Sequence, residues 1–277
     1  MGERVRDKVA FVTGAARGQG RSHAVRLAEE GARIVGVDLC GGIATVGYPM
    51  PSMQDLQETV RLVEKTGSRM LARQADVRDQ QTLRAAVADG LEEFGQLDIV
   101  VANAGIFSTA PSPTMSESMW RDMIDVNLTG VWNTCQATMQ PLIDAGRGGS
   151  IVLTSSSAGI KTGPNITHYS AAKHGVIGIM RSLAAELAPH WIRVNSIHPT
   201  TVATDMIFND TIYRLFRPDL DSPGADDVRD VYQALNLLPI PWVEAADISN
   251  AVLFLASDEA RYVTAVALPV DAGATQR

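Results

Sequence analysis

Short segments rich in β-branched and apolar residues alternate with helical patterns along almost the whole chain, and this alternation constrains the fold most strongly. Strands that are apolar throughout and separated by helices are typical of a parallel sheet covered on both faces. The predicted strands are Val9–Thr13, Arg33–Asp38, Met70–Gln74, Asp98–Ala102, Ser150–Thr154, Arg193–Ile197 and Ala265–Val270. The predicted helices are Gly18–Glu30, Leu56–Thr66, Gln80–Phe94, Glu117–Asp144, His168–Ala188 and Ala245–Ala256.

The chain shows no internal repeat, low-complexity tract or linker, which predicts a single domain over residues 1–277. We expect an α/β fold, a doubly wound parallel sheet of about seven strands with helices on both faces. Ligands bind such sheets beyond the carboxyl ends of the strands, near the point where the strand order reverses. Most of the motifs described below follow those ends.

Composition excludes several classes of protein. Cys40 and Cys135 lie far apart and form no CxxC pair, which argues against disulfides and structural zinc and favours a reducing compartment. The five histidines show no metal-ligand spacing, so no metal is expected. A net charge of −7 with scattered lysines and arginines gives nucleic-acid binding little support. No segment has the roughly 18 apolar residues of a membrane span, and the start of the chain lacks a signal-peptide pattern, so we expect a cytoplasmic protein.

A glycine-rich turn, TGAARGQG, joins the first strand to the first helix. Glycines there permit a tight turn and a close approach of backbone to a pyrophosphate, whose charge the helix N-terminus favours. The spacing is GxxxGxG rather than GxGxxG, and an ordinary glycine-rich turn is the alternative. The predicted cofactor contacts in this turn are Gly14, Arg17, Gly18, Gln19 and Gly20.

Asp38 ends the second strand, where a carboxylate can accept hydrogen bonds from ribose hydroxyls and repel a 2′-phosphate. Arg17 argues the other way, since a basic residue in the turn could pair with that phosphate. We give Asp38 more weight because it would lie directly beneath the ribose. The sequence therefore predicts NAD rather than NADP in a Rossmann-like site. Leu39, which follows Asp38, is also predicted to contact the cofactor.

Tyr169 and Lys173 are four residues apart in a helical pattern, so the phenol and the ammonium group share one helix face. A nearby cation favours phenolate and would make Tyr169 a general base. Ser156 follows a predicted strand, and its hydroxyl could hold a substrate oxygen. The neighbours Ser155 and Ser157 leave that assignment open by one residue, and Thr154 is predicted to contact the cofactor.

Taken in order, these motifs resemble the short-chain dehydrogenase/reductase family over essentially the whole chain. The matching residues are Thr13–Gly20, Asp38, Asp76, Val77, Asn103, Ala104, Gly105, Asn127, Ser156, Tyr169, Lys173 and Pro199–Thr204. The resemblance implies that Tyr169 is the acid/base, that Ser156 orients the substrate oxygen and that Lys173 holds the nicotinamide ribose. It also implies that this chain forms a homotetramer.

Other roles rest on the resemblance alone. It implies that Asn127 positions a proton-carrying water, whereas residue type alone favours an asparagine satisfied by local helix backbone. Asp76 and Val77 would contact adenine, and Asn103–Gly105 would line the cofactor. The family's usual Pro-Gly is Pro199-Thr200 here, although Val202 and Thr204 keep the rest of the pattern. Pro199, Val202 and Thr204 are therefore also implied cofactor contacts.

Residues 40–53, which we call the flap, form a Gly/Pro-rich insertion after Asp38. With His198–Met206 and Tyr213–Asp219, the flap is similar to an actinobacterial subgroup that includes carveol dehydrogenases and mycofactocin-coupled dehydrogenases. That subgroup is implied to hold NAD without ready exchange and to pass electrons to mycofactocin. The flap could cover the adenosine end and bury Val46, Tyr48 and Met50. A surface loop without cofactor contact is the alternative.

Residues 204–242, which we call the lid, carry an apolar run that includes Met206, Ile212 and Phe216. This segment is predicted to shield hydride transfer from water and to select an apolar substrate; core or subunit packing is the alternative. His168 is expected to cap the following helix. His198 ends a strand and could face the cofactor.

These features predict an NAD-dependent enzyme that interconverts a secondary alcohol and a ketone. The expected substrate is a small apolar or cyclic alcohol such as carveol, with NAD held tightly and reoxidised by mycofactocin. One alternative is an NADPH-dependent 3-oxoacyl-carrier-protein reductase, which Arg17 allows. Another is a non-catalytic NAD sensor, which the presence of Tyr169, Lys173, Ser156 and Asn127 opposes.

Overall fold

The seven predicted strands form one parallel sheet in a computed structural model that describes residues 3–277. The strands are β1 (Val9–Thr13), β2 (Arg33–Asp38), β3 (Met70–Gln74), β4 (Ile99–Ala102), β5 (Gly149–Thr154), β6 (Ile192–Pro199) and β7 (Ala267–Val270). Their order is β3-β2-β1-β4-β5-β6-β7. This order reverses between β1 and β4, so the crevice beyond their carboxyl ends is the expected ligand site. The prediction of a Rossmann-like, doubly wound α/β fold is confirmed.

Helices cover both faces of the sheet. They are α1 (Gly18–Glu29), α2 (Met53–Lys65), α3 (Gln80–Phe94), α4 (Glu117–Ile124), α5 (Gly130–Ala145), α6 (Thr167–Leu187), α7 (Asp210–Phe216), α8 (Arg229–Gln233) and α9 (Ala245–Ala256). One apolar cluster joins a sheet face to α3, α5 and α6, and another joins the opposite face to α1, α2 and α9. None of the helices within residues 3–277 has the length and hydropathy needed to cross a bilayer.

The segment Glu117–Asp144, predicted as one helix, is divided in the structure. A single π-helical turn over Asp125–Thr129 separates α4 from α5. Such turns add a residue to a helical turn and frequently occur at functional sites. Asn127 lies within this turn and is fully buried.

The second helix begins earlier than its apolar spacing predicts, because Ser52 and Asp55 form a capping box. The Ser52 hydroxyl accepts from the Asp55 N–H, and the Asp55 carboxylate accepts from the Ser52 N–H. Met53, the last residue assigned to the flap, therefore already belongs to α2. The irregular part of the flap is residues 40–52, fixed at one end by β2 and at the other by α2.

Candidate active site

The glycine-rich turn after β1 forms a cradle at the sheet crevice. Gly14 has a φ of +69°, and a Cβ on Gly20 would overlap the carbonyl group of Gly14. The N-terminus of α1 lies in this turn, and Arg17 at its N-cap makes no side-chain capping bond. The first amides of the helix therefore remain available to an anionic ligand.

Asp38 lies at the end of β2, with 7% of its surface exposed. Its Oδ2 accepts from the Ala16 N–H at 3.0 Å, and its Oδ1 accepts from the Cys40 N–H at 3.1 Å. Burial raises the pKa of the carboxyl, while these two donors oppose the rise. Asp38 thus ties the glycine-rich turn to the start of the flap and still borders the cavity beside it.

Arg17 connects the flap to the lid. Its guanidinium pairs with Asp205 at 3.1 Å, donates to the carbonyl of Pro49 and lies 5.9 Å from the ring centre of Tyr48. Arg17 also borders the cavity next to Asp38. A 2′-phosphate would have to compete with Asp205 and the Pro49 carbonyl for this side chain. We call this set of contacts the Arg17 clasp.

The flap borders a cavity of about 140 Å³ above the glycine-rich turn. Tyr48 is 8% exposed, and its hydroxyl accepts from the Phe107 N–H at 3.2 Å. Met50 lines the cavity, whereas Val46 packs against the main apolar core instead. The Gly47 carbonyl accepts from the Thr211 hydroxyl of the lid at 2.8 Å. The flap therefore lines the candidate nucleotide cavity and touches the lid.

Tyr169 and Lys173 lie on one face of α6 and point into a second, larger cavity of about 730 Å³. The Lys173 ammonium donates to the carbonyl of Thr154 at 2.8 Å and lies 5.7 Å from the Tyr169 ring centre. Burial raises the pKa of Tyr169, and a hydrogen bond with Ser156 opposes that rise. Burial also lowers the pKa of Lys173 to about 8. The pKa of the phenol is thus raised overall, in the direction opposite to the lowering by Lys173 that the sequence predicts.

The three serines after β5 differ in what their side chains contact. The Ser155 hydroxyl donates to the backbone carbonyl of Lys173 at 2.8 Å, so it supports α6. Ser157 begins a short 3-10 turn. Ser156 lies close enough to Tyr169 to affect the pKa of its phenol, and it borders the larger cavity. Of the three serines, Ser156 thus has its hydroxyl beside the phenol.

Asn127 is held by the backbone of the loop that follows β4 and not by helix backbone. Its Oδ1 accepts from the Ile106 N–H and its Nδ2 donates to the Ile106 carbonyl, both at 2.8 Å. The interpretation that local helix backbone satisfies this side chain is therefore wrong. A Cβ on Gly105 would lie 3.2 Å from Asn127 Oδ1 and 3.6 Å from Lys173 Nζ, so these groups lie close together.

The structure gathers the predicted site residues around two adjoining cavities. The smaller cavity is lined by Gly14, Arg17, Gly18, Gln19, Gly20, Asp38, Leu39, Asp76, Val77, Asn103, Ala104, Gly105 and Thr204. The larger cavity is lined by Gln19, Asn103, Gly105, Thr154, Ser156, Tyr169, Lys173, Pro199, Val202 and Thr204. Asn127 lines neither cavity and reaches the site only behind Gly105.

Two histidines do not lie where the sequence suggested. His168 does not cap α6, because the helix begins at Thr167 and the His168 ring bonds the Ser108 hydroxyl at 3.0 Å. His198 does not border either cavity. Its fully buried ring bonds the Ser156 carbonyl and the Ser196 hydroxyl.

Sequence reasoning missed several apolar residues of the site. Phe107 packs edge-on against Tyr169, with ring centres 5.0 Å apart and an interplanar angle of 89°. Ile43 and Pro51 of the flap also line the smaller cavity. Phe107 follows Asn103–Gly105 closely, but no residue spacing marks it as a contact of Tyr169.

The lid closes the larger cavity with apolar side chains. Ile207, Ile212 and Phe216 line this cavity together with Tyr232. Ile212 and Tyr232 belong to a small apolar cluster of their own, separate from the two clusters that cover the sheet. The part of the cavity wall that the lid supplies is thus largely hydrocarbon.

The fit of a dinucleotide is supported by unpaired polar atoms as well as by the cradle. Gln19 Oε1 and Thr154 Oγ1 are buried without a protein partner, and both residues border the larger cavity. Buried polar atoms normally have a partner, so these two atoms favour a polar ligand. Within residues 3–277, no group of three histidine, cysteine or acidic side chains is placed to hold a metal ion.

The chain is similar to known proteins along most of its length. The family model for short chain dehydrogenases matches residues 8–211. The (−)-trans-carveol dehydrogenase of Rhodococcus erythropolis is 53% identical over 273 residues, covering 98% of this chain and 99% of that protein.

Two solved structures share the whole fold. The carveol dehydrogenase of Mycobacterium avium in complex with NAD has a TM-score of 0.98 at 56% identity, covering 99% of this chain and 100% of that one. A short chain dehydrogenase of Mycobacterium paratuberculosis bound to NAD has a TM-score of 0.91 at 45% identity, with the same coverage. The chain belongs to the short-chain dehydrogenase/reductase family.

Proposed function

We propose that this protein is an NAD-dependent oxidoreductase that interconverts a secondary alcohol and a ketone. The observation that carries the proposal is the meeting of Ser156, Tyr169 and Lys173 at a cavity that adjoins the glycine-rich turn. The turn offers a site for a dinucleotide, and the three side chains offer a site for the oxygen of an alcohol. A sensor that only binds NAD would have no use for the second arrangement.

NAD fits the nucleotide end better than NADP. The first turn of α1 would hold the pyrophosphate, and Asp38 would accept from the adenosine ribose. Arg17 is already engaged by Asp205 and the Pro49 carbonyl, so it is not free to pair with a 2′-phosphate. This arrangement disfavours the NADPH-dependent 3-oxoacyl reductase. The NAD complexes of two similar structures also support the proposal.

The residues at the larger cavity can divide the chemistry between them. Bound NAD supplies the acceptor for the hydride that leaves the carbinol carbon. Tyr169, as phenolate, takes the hydroxyl proton, and Ser156 donates a hydrogen bond to the oxygen as it becomes a carbonyl. Lys173 would hold the nicotinamide ribose, and Asn127 would position a water that carries protons away. The chain thus converts a CH–OH group to a ketone and stores the proton on Tyr169.

The substrate we propose is an apolar, cyclic secondary alcohol such as carveol. Ile207, Ile212 and Phe216 present hydrocarbon to the cavity, which suits a terpene ring. The names of two similar proteins point to the same substrate. At about 730 Å³, the cavity lies in the range of sites that hold drug-sized ligands, so a monocyclic terpenol would fit with room to spare.

We further propose that NAD stays bound through many turnovers and is reoxidised in place by mycofactocin. The Arg17 clasp and the contact of Thr211 with Gly47 support the first part, since they join the flap to the lid beside the smaller cavity. The second part rests on the subgroup resemblance and on the larger cavity, by which a carrier could reach the nicotinamide end. A homotetramer in the cytoplasm is proposed on the resemblance as well.

The activity is tested with purified protein, carveol and an artificial electron acceptor, measuring carvone by gas chromatography. Wild type should form carvone, and Tyr169→Phe should form about 10²–10⁴-fold less because it lacks the proton acceptor. Both proteins should contain the same amount of NAD. A Tyr169→Phe variant with wild-type turnover would contradict the assignment of the base. Wild-type protein that binds NAD but oxidises no apolar cyclic alcohol would contradict the proposed activity.

A further inference from the structure

His198 lies next to Ser156 but lines neither cavity. It is the seventh residue of β6, and its ring is fully buried. Its Nδ1 lies 2.9 Å from the Ser156 carbonyl oxygen, and its Nε2 lies 2.8 Å from the Ser196 hydroxyl. His198 therefore touches neither cavity, yet it contacts the backbone of the serine proposed to hold the substrate oxygen.

These two contacts define the protonation of the ring. A carbonyl oxygen can only accept a hydrogen bond, so Nδ1 must carry a proton. Burial lowers the pKa of His198, which keeps the ring neutral and leaves Nε2 without a proton. Nε2 therefore accepts from the Ser196 hydroxyl. Ser196 lies two residues earlier on the same strand and hence on the same side of the sheet.

The position of His198 compensates for a break in the sheet. The last backbone hydrogen bond between β5 and β6 runs from the Ser155 N–H to the Ile197 carbonyl, at 2.9 Å. The next hydrogen bond between the strands would need an N–H at position 199, and Pro199 has none. Ser156 therefore lies just beyond the last of these hydrogen bonds, where the sheet no longer fixes its backbone.

Local contacts take over at this point. The Ser156 carbonyl accepts from the Gly159 N–H at 2.9 Å as well as from His198. The Ser156 hydroxyl accepts from the Ala158 N–H at 3.1 Å. Gly159 and Ala158 belong to the short turn that follows Ser156, so neither connects it to the sheet. Of these three bonds, the one from His198 links Ser156 to a strand.

We infer that His198 is a positioning residue that holds Ser156 against β6 and so aims its hydroxyl at the reacting oxygen. This inference rests on the proposed role of Ser156. His198 does not touch substrate or cofactor. Its effect should therefore appear in kcat, because small displacements of an orienting group chiefly weaken the transition state.

The main test compares His198→Leu and His198→Asn by their kcat and KM for carveol. The leucine removes both ring bonds, and kcat should fall about 10–100-fold with KM and bound NAD near wild type. The asparagine keeps a donor close to the position of Nδ1, so it should recover most of the loss. His174→Leu is the matched control, since it removes a ring–carbonyl bond to Ser170 on the exposed side of α6. An unchanged kcat in His198→Leu would overturn the inference.

A double-mutant cycle separates positioning from general destabilisation. In a Ser156→Ala background, His198→Leu should cause no further loss of kcat, because there is no hydroxyl left to aim. A loss as large as in wild type would show that His198 supports the fold generally, and would overturn the inference. If Ser156→Ala itself kept wild-type kcat, the proposed role of Ser156 would fail, and the inference with it.

Two further measurements do not depend on whether His198→Leu folds or turns over substrate. Ser196→Ala leaves the ring in place but removes its partner, and should lower kcat about two- to fivefold in wild type and not in Ser156→Ala. Nitrogen-15 NMR of histidine-labelled protein without substrate should show that His198 is protonated at Nδ1 and unprotonated at Nε2. The opposite tautomer, or no effect of Ser196→Ala, would overturn the assignment.

Discussion

The flap and the lid make different kinds of contact at the two cavities of the candidate active site. Beside the smaller cavity, the proposed nucleotide site, the flap and the lid are joined by polar, directional bonds, namely those of Arg17 to Asp205 and Pro49 and that of Thr211 to Gly47. The larger cavity is bordered by apolar side chains of the lid such as Ile212 and Phe216. Directional bonds hold two segments in one register, whereas hydrocarbon surfaces can slide or part at lower cost.

This difference indicates how a single lid can serve two purposes. Its first part, around Asp205 and Thr211, is tied to the flap, and its later part lines the space for the alcohol. We expect the cofactor to stay while substrate and product exchange. Changes at either cavity would test this division between a retained cofactor and an exchanging substrate.

The pH dependence of alcohol oxidation should report on the larger cavity alone. Burial raises the pKa of Tyr169, so the phenolate that accepts the proton becomes scarce at neutral pH. The rate should therefore rise with pH, by about tenfold per unit below the apparent pKa of the phenol. Ketone reduction, which needs the protonated phenol, should show the opposite trend. A flat profile for oxidation with a rate-limiting chemical step would contradict Tyr169 as the base.

Gly20→Ala should weaken the binding of NAD at the glycine-rich turn. The added Cβ would overlap the Gly14 carbonyl, so the turn must open and the affinity for NAD should fall about 10–100-fold. Gly42→Ala is the control, because a Cβ at Gly42 meets nothing within 4 Å. Calorimetric titration of nucleotide-free protein with NAD gives both affinities. Equal affinities in the two variants would contradict the cradle.

Arg17→Ala should loosen the flap without affecting chemistry. Loss of the clasp should speed NAD dissociation about tenfold, since a charged hydrogen bond of this kind contributes on the order of 1.5 kcal/mol. The rate is measured by dilution into excess labelled NAD. Arg214→Ala, on the same lid but outside the clasp, should leave it unchanged. If NAD left Arg17→Ala at the wild-type rate, the clasp would have no part in retention.

Thr211→Val tests the weaker of the two bridges. It removes the hydroxyl that donates to the Gly47 carbonyl but keeps the shape of the side chain. Because this bond is exposed to solvent, NAD release should speed up only about two- to threefold. A larger effect than that of Arg17→Ala would show that Thr211, and not Arg17, is the principal link between flap and lid.

The sequence was sufficient to predict the fold and most residues of the candidate site, because both follow from local patterns. Strand and helix periods predicted the sheet, and the ends of β1, β2 and β5 carried the motifs. The π turn at Asn127 could not be foreseen, since one inserted residue leaves the apolar spacing of a helix almost unchanged.

Contacts between distant segments were also beyond the sequence. Arg17 reaches Pro49, 32 residues away, and Asp205, 188 residues away, and no spacing marks either pair. The sequence therefore left Arg17 as an argument for NADP, whereas the structure engages it in the clasp. His198 was similarly open, because its partner, the Ser156 carbonyl, lies on a neighbouring strand end.

The most direct test of this account is the nucleotide content of protein purified without added cofactor. The protein is denatured, and the released nucleotide is identified and quantified by mass spectrometry. We predict close to one NAD per chain, retained through extensive dialysis. Protein that emerges empty would contradict the closed nucleotide end, and protein that carries NADP would contradict the specificity assigned to Asp38.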